Sequence, residues 1–400
     1  MKILHVIADL DRRRGGPAQV CIELARLLAN AGHDVRIVTT ERGFPAEFVD
    51  HGPEPFGPKS LTIESFPIDP PRFWGTSWAM RRRLSTAVQE ADIVHVHSLY
   101  MFHDWVTGHY CRLYNKAYIV RPHGTLDPYM HNRHRWRKYV VERLFQNEMQ
   151  RRAAGLHYTT QEEWDLARPY AHNPRGWVAP NGIDLSQFDN LPPSGALRLR
   201  YPQIGDRRVV LFFGRLNFKK GVDTTISMFA NVARKRSDVI LVIAGPDGGM
   251  RRLAEQRVGE ASLADRVIFT GMVTGEDKRI VLGGSDFFVL PSMSENFGIS
   301  VVEAAACGIP VIFSDRVNLR HDFEAAKAGL IAPPNAAAFA ECLCYLLDNP
   351  AECSAMARRG YDFVRRRYTW DALAGDYEKM YREAINFHGV ANLFADGLKR

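Results

Sequence analysis

The run Val209-Val210-Leu211-Phe212-Phe213, the turn Gly214-Arg215-Leu216-Asn217-Phe218-Lys219-Lys220-Gly221, a helical stretch opening near Val222, and a second apolar run at 239–244 closing on Gly245-Pro246 make one strand, loop, helix, strand unit. Short apolar runs without polar alternation suit strands covered by helices on both faces, and strands joined through helices lie parallel. The same alternation continues through strands at 267–270, 286–290 and 310–314, with a helix from about Gly298 between the last two. Upstream, residues 3–8 end at Asp9. A helical stretch follows at 18–31, carrying Val20, Leu24, Leu27 and Leu28 on one face; Gly32 stops it, and 35–39 resumes as a strand. Further strands are expected at 93–97 and 118–121. Alternation of this kind predicts an α/β protein with parallel sheets, whose ligands bind at the carboxyl ends of the strands.

At 400 residues the chain exceeds what one hydrophobic core usually supports. The turn-rich stretches Ala179-Pro180-Asn181-Gly182-Ile183-Asp184 and Pro192-Pro193-Ser194-Gly195 mark a linker. We therefore expect one Rossmann-like domain over 1–185 and a second over 186–370, with the helical, aromatic-rich tail at about 371–398 packing back on the first. An apolar fraction of 46% with 24% charged residues is that of a globular chain. No apolar run approaches the ~20 residues that span a bilayer. The first residues read as a strand rather than a signal peptide, which predicts a cytoplasmic protein. Six scattered cysteines form no CxxC pair and are expected to be buried free thiols. The formal charge of +7 points to an anionic partner. Arg12-Arg13-Arg14, Arg81-Arg82-Arg83 and the stretch 131–152 put the basic clusters in the first half.

The segment Pro291-Ser292-Met293-Ser294-Glu295-Asn296-Phe297-Gly298-Ile299-Ser300-Val301-Val302-Glu303 follows a buried strand and opens a helix. Amides near Phe297, Gly298 and Ile299, backed by the helix dipole, suit a phosphate. Glu295 could accept hydrogen bonds from sugar hydroxyls and Glu303 from a ribose. Equally, Glu295 could be an N-terminal helix charge and Glu303 a solvent-facing residue. The preceding strand end brings Arg215 and Lys220, with Gly214 and Gly221 permitting tight turns, and an arginine fork with a lysine point charge matches a diphosphate.

Together, E-x7-E at 295–303 and G-R-L-x-x-K-K-G at 214–221 resemble the donor site of retaining glycosyltransferases of family 4, which have the GT-B fold of two Rossmann-like domains whose sheets face across a cleft. Gly15-Gly16-Pro17 resembles that family's first glycine-rich loop, Asp92-Ile93-Val94-His95-Val96-His97 its fourth-strand region, Arg121-Pro122-His123-Gly124 its histidine loop, and Asn181-Gly182-Ile183-Asp184 its entry to the linker. The resemblance runs from Met1 to about Tyr368. It implies a hexosyltransferase of polysaccharide or glycolipid type, acting from a UDP- or GDP-linked sugar on a hydroxyl of a glycan or lipid-linked acceptor. By it Arg215 and Lys220 hold the leaving diphosphate, Glu303 the ribose, and Glu295 with Asn296 and the 297–299 amides the sugar. His123 lies against the sugar, Gly15, Gly16 and Gly214 shape the donor loops, and Met272 and Val273 border the base. The expected catalytic set is His123, Arg215, Lys220 and Glu295.

Preorganised cations at the diphosphate would stabilise the charge that grows on it as the anomeric bond breaks. No carboxylate nucleophile is evident, which favours attack on the face the phosphate leaves. With Arg215 and Lys220 in place no metal or other cofactor is expected, and Asp9-Leu10-Asp11, beside Arg12, reads as a loop with local ion pairs. His131-Asn132-Arg133-His134-Arg135-Trp136-Arg137-Lys138-Tyr139 leads into 140–152, whose Val140, Leu144 and Phe145 sit among basic residues. Such a stretch either docks on an anionic membrane or buries its apolar face in the domain. Rival readings are a sugar-nucleotide epimerase, a phosphorylase, a non-catalytic sugar-nucleotide sensor and a polyanion-binding protein. No nucleic-acid recognition motif accompanies the charge, and nucleic acid is not expected as a partner.

Overall fold

The computed structural model describes residues 1–11, 16–42, 60–133 and 135–397, with side chains of the closing helix described to 389. It divides into two compact units: Met1–Gly182 with Trp370–Arg400, and Ile183–Thr369.

In the first unit seven strands pair in parallel: β1 (Lys2–Asp9), β2 (Asp34–Thr40), β3 (Leu61–Phe66), β4 (Ile93–His97), β5 (Tyr118–Arg121), β6 (Gly155–Tyr158) and β7 (Gly176–Val178). Their order is β3-β2-β1-β4-β5-β6-β7. The second unit holds β8 (Arg208–Phe213), β9 (Val239–Ala244), β10 (Val267–Gly271), β11 (Phe287–Leu290), β12 (Val311–Ser314) and β13 (Leu330–Ala332), in the order β10-β9-β8-β11-β12-β13. Both sheets reverse direction of winding beside their first strand, at β1/β4 and β8/β11. At such a switch point adjacent loops part to opposite faces and leave a crevice at the carboxyl edge. Geometry alone thus brings the loops after β8 and β11 together.

The short apolar runs are what this burial requires. All six residues of β9 are buried, and so are all four of β11. Strands β3, β6, β7 and β13 were not among those expected from the sequence. They are three to six residues long, and most lie at sheet edges, where partial exposure weakens the apolar signature.

The helix Trp370–Gly397 belongs to the first unit. Its Trp370, Leu373, Tyr377, Met380, Tyr381 and Ala384 are buried with Ile3, Leu24, Leu28 and Ile119. Trp370 Nε1 donates to Glu23 at 2.8 Å, and the Tyr377 hydroxyl donates to the Pro180 carbonyl at 2.8 Å. All six cysteines are free, but only Cys21 and Cys111 are buried; Cys307, Cys342, Cys344 and Cys353 keep some exposure because they sit on helix flanks or ends rather than on core-facing positions. No helix among the described residues is long and apolar enough to cross a membrane.

The stretch 140–152 belongs to one unbroken helical run with a π-type turn inside it. Residues Arg135–Val141 form a first segment, Glu142–Gln146 a π-type turn, and Asn147–Arg152 a second. Its apolar residues divide between two faces: Trp136 is 70% and Leu144 75% exposed, and Tyr139 and Val140 are also exposed, whereas Met149 is buried in the core and the half-buried Phe145 ring lies against Trp74 and Trp105.

Candidate active site

The loop after β8 is built by glycines for which the backbone leaves no choice. A Cβ on Gly245 would lie 2.0 Å from the Gly214 carbonyl oxygen, and one on Gly221, at φ +71°, 2.1 Å from that of Pro291. Asn217 caps the turn by accepting from the Lys220 amide at 3.0 Å. The Met293 amide donates to the Lys219 carbonyl at 2.8 Å, which pins the β8 loop to the β11 loop. Gly248 packs against the aliphatic stem of Arg215, whose Cγ would be 2.8 Å from an added Cβ.

Across this junction the Lys220 ammonium donates to the Glu295 carboxylate. Burial pushes the Glu295 carboxyl up, but the charges of Lys220 and Lys219, the Lys220 hydrogen bond and the Gly298 amide together hold it below the usual range. The carboxylate is therefore the ionised form that binds hydroxyl hydrogens. Its backbone is fixed on both sides, the Glu295 amide donating to Arg316 and the Glu295 carbonyl accepting from Asn318.

Gly298, at φ +78°, opens the helix Ile299–Ala306 without a side-chain cap. Phe297 is buried edge-on against Tyr368, so it contributes backbone and packing to the site while its ring faces the core. Glu303 is not a solvent-facing residue: it is buried and accepts from Lys278 Nζ at 2.8 Å. Lys278 was missed in the sequence, because a lone lysine on an exposed-looking helix carries no signal until the helix Gly275–Gly283 is placed beside Glu303. It also lies over the Phe188 and Phe213 rings, at 5.2 and 5.7 Å. Met272 is exposed and Val273 buried, just past β10, whose Gly271 carbonyl accepts from Gly245 at 2.8 Å. Arg215, Lys220, Glu295, Asn296, Gly214, Gly298, Ile299 and Glu303 thus come together around the β8/β11 crevice, with Met272 and Val273 two strands away on the same edge.

In the first unit His123 and Gly124 both adopt left-handed backbone, at φ +51° and +73°, directly after β5. Non-glycine residues in that region are uncommon and concentrate at functional sites. Glu163, from the helix Gln161–Ala167, holds the turn by accepting from the Gly124 amide at 3.2 Å and from Thr159 at 2.7 Å. Nothing in the sequence singled out Glu163. Gly16 begins the helix that follows β1 and is exposed; Gly15 and Arg12–Arg14 lie outside the described residues, so the expected ion pairs of Asp9 and Asp11 with those arginines do too.

Residues 198–363 match the sequence model of glycosyl transferases group 1, and residues 14–187 match that of glycosyltransferase family 4. The chain belongs to the family 4 glycosyltransferases. This glycosyltransferase is 25% identical, over 98% of its length and 99% of the relative's, to a GDP-mannose:cellobiosyl-diphosphopolyprenol alpha-mannosyltransferase of Xanthomonas oryzae pv. oryzae. It is 30% identical to the phosphatidyl-myo-inositol mannosyltransferase of Mycobacterium leprae, over 54% of its own length and 57% of that protein's. Among solved structures, the transferase superposes on Anabaena HepE in complex with UDP and glucose with a TM-score of 0.75 at 18% identity, covering 95% of this chain and 99% of the other. The sucrose-phosphate synthase of Thermosynechococcus elongatus gives 0.74 at 23% identity, covering 96% and 98%. Its fold is GT-B, with one Rossmann-like sheet in each unit, and the enzyme is a retaining sugar-nucleotide-dependent transferase.

Proposed function

We propose that this glycosyltransferase moves a hexose from a GDP- or UDP-linked donor to a hydroxyl of a lipid-linked glycan, with the donor held in the β8/β11 crevice of the second unit. The observation that carries the reading is the pairing of Lys220 with Glu295 and of Lys278 with Glu303 on one sheet edge. Two cations and two carboxylates alternate there, and the Lys220–Glu295 pair sits at a junction where Gly221 lets the β8 and β11 loops approach. Names of the full-length relatives favour GDP-mannose as the first donor to try.

In this reading Arg215 and Lys220 bind the diphosphate, Glu303 the ribose, and Glu295 the sugar hydroxyls, with Met272 and Val273 beside the base. The Lys220–Glu295 pair gives the site a switchable cation. When the sugar hydroxyls engage Glu295 and the diphosphate arrives, Lys220 has two anions to serve. As the anomeric C–O bond breaks, charge moves onto the phosphate, and Lys220 favours that state more than the ground state. The acceptor hydroxyl attacks from the face the phosphate leaves and gives its proton to a phosphate oxygen, so configuration is retained. The two cations take the part of a divalent ion, and activity should persist in excess EDTA.

The exposed Trp136, Tyr139, Val140 and Leu144, interleaved with Arg133, Arg135, Arg137, Lys138 and Arg143, support docking on an anionic membrane, where aromatic and aliphatic tips enter the interface while guanidinium groups meet lipid phosphates. Arg137 and Arg143 lie over the rings of Trp136 and Tyr139, at 5.2 and 4.7 Å, which keeps charge beside each apolar tip. The enzyme would then work at the cytoplasmic face on a lipid-linked acceptor.

A thermal-shift panel of GDP, UDP, ADP and TDP with their sugar conjugates tests the donor site, since a ligand of the folded state raises its stability by mass action. A selective shift lost in Arg215→Ala or Lys220→Ala supports it. A folded protein that responds to no nucleotide at millimolar concentration overturns it.

A further inference from the structure

Five histidines converge inside the first unit: His5 on β1, His95 and His97 on β4, His123 after β5 and His157 on β6. All but the partly exposed His123 are fully buried. They form two hydrogen-bonded chains with different ends.

One chain is fixed in direction. His157 Nε2 lies 2.8 Å from the Ala179 carbonyl oxygen, which can only accept, so that nitrogen carries the hydrogen. Its Nδ1 is then a lone pair, taking a hydrogen from His95 Nε2 at 3.2 Å, and His95 Nδ1 accepts from the Tyr381 hydroxyl at 2.9 Å. Neutral rings allow no other order.

The other chain runs outward: His5 Nδ1 to His97 Nε2 at 3.0 Å, then His97 Nδ1 to His123 Nε2 at 3.0 Å. Burial holds His97 and His123 well below the ordinary histidine range, helped by the neighbouring His95 and by Arg121 respectively, so these rings are neutral as well. Each neutral ring donates once and accepts once, and only two proton orders exist. If every ring donates inward, the chain ends on a buried His5 Nε2–H, a position with no hydrogen-bond acceptor among the described residues. If every ring donates outward, it ends on a His5 lone pair. A buried N–H without a partner is the rarer defect. Ligand atoms of Cys21, His5 and His97 also lie within 4.8 Å of one another, and burial pushes the Cys21 thiol up to about 12, so no thiolate stands there to accept from a His5 N–H.

We infer that His97 and His5 are positioning residues that hold His123 as its Nδ1–H tautomer, so that its exposed edge presents a hydrogen-bond donor to the sugar. This rests on the reading that His123 faces the transferred sugar. A histidine free in water prefers the Nε2–H tautomer, so the chain reverses the default. A ring locked this way can donate to a hydroxyl or ring oxygen through Nδ1 but cannot take a proton there. Removal of the acceptor's proton therefore falls to the departing phosphate.

The test is the two-bond proton–nitrogen correlation spectrum of the full-length protein labelled with ¹⁵N-histidine, with His123→Gln used to assign the signal. Wild-type His123 should read as Nδ1–H. His97→Phe should return it to Nε2–H and lower kcat/KM by about tenfold, the worth of one lost hydrogen bond. His97→Asn, whose amide can donate near the place of Nδ1, should keep the Nδ1–H state and recover most of that loss. The wild-type spectrum alone can overturn the inference, by showing His123 as Nε2–H, even if neither variant folds; an unchanged tautomer in folded His97→Phe would overturn it too. So would stoichiometric Zn²⁺ binding that moves the His5 and His97 signals together, because ligation would replace their hydrogen bond. The spectrum reads the tautomer whether or not a nucleotide binds, which separates failure here from failure of the donor-site reading.

Discussion

Lys220 and Lys278 each face one carboxylate, but the two pairs should fail differently. Lys220→Ala removes a cation proposed to act on the leaving diphosphate, and we expect kcat to fall by about 10²–10³ with a smaller change in donor KM. Lys278→Ala leaves Glu303 buried without its partner, a defect of about 3–5 kcal/mol in comparable buried pairs, so its first symptom should be a lowered Tm. Pairing Lys278→Met with Glu303→Gln should restore most of that Tm while donor binding stays weak. If the double variant binds donor as well as wild type, Glu303 is structural and the ribose contact lies elsewhere.

At the scale of elements, the site depends on close backbone approaches. Gly221→Ala would drive a methyl into the Pro291 carbonyl at a φ that L-residues avoid, so the β8 and β11 loops must separate. We expect a lower Tm together with a loss of activity comparable to Lys220→Ala, since the lysine would no longer meet Glu295; a loss of Tm alone would mean the junction tolerates movement. Much of this was legible in advance. The strands with continuous apolar runs, β1, β2, β4, β5, β8, β9, β10, β11 and β12, announce themselves, and the residues of the β8 and β11 loops carry their chemistry in their order. What was not legible depends on who packs beside whom. Glu303 stood open between a ribose contact and a solvent-facing residue until the helix Gly275–Gly283 supplied Lys278, and Glu163 gained a purpose only when Gly124 turned toward it. Leu144 and Trp136, which sequence left undecided between core and surface, turned outward. Replacing Trp136 and Leu144 with Ala should weaken binding to vesicles rich in anionic lipid. Charge reversal at Arg135 and Arg137 should weaken it further and flatten its dependence on salt, because less of the remaining binding is electrostatic. Unchanged vesicle binding in both sets would remove the membrane reading.

For the molecule as a whole, five buried histidines and the half-buried His123 set its response to acid. His5, His95, His97, His103, His123 and His157 are all held below the ordinary range, with burial the largest cause for each, His5 at about 3 and His103 at about 4. In the unfolded chain they titrate near 6.5. Above that pH both states are neutral and stability is complete. Below it the unfolded state takes up protons the folded state refuses, and each histidine removes up to about 1.4 kcal/mol per pH unit until its folded value is reached. We expect the first unit to lose Tm steeply from about pH 6.5 towards pH 4, with calorimetry in different buffers reading several protons bound on unfolding. A shallow decline would mean the histidines are hydrated. The closing helix adds a constraint of another kind. Trp370, Leu373, Tyr377 and Tyr381 fill the core of a unit whose other strands all precede Gly182, whereas residues 183–369 hold every strand of the second sheet. On the ribosome, the half of the enzyme that is made first must therefore be finished last, waiting through nearly the whole of translation with an open core while the later half can already close.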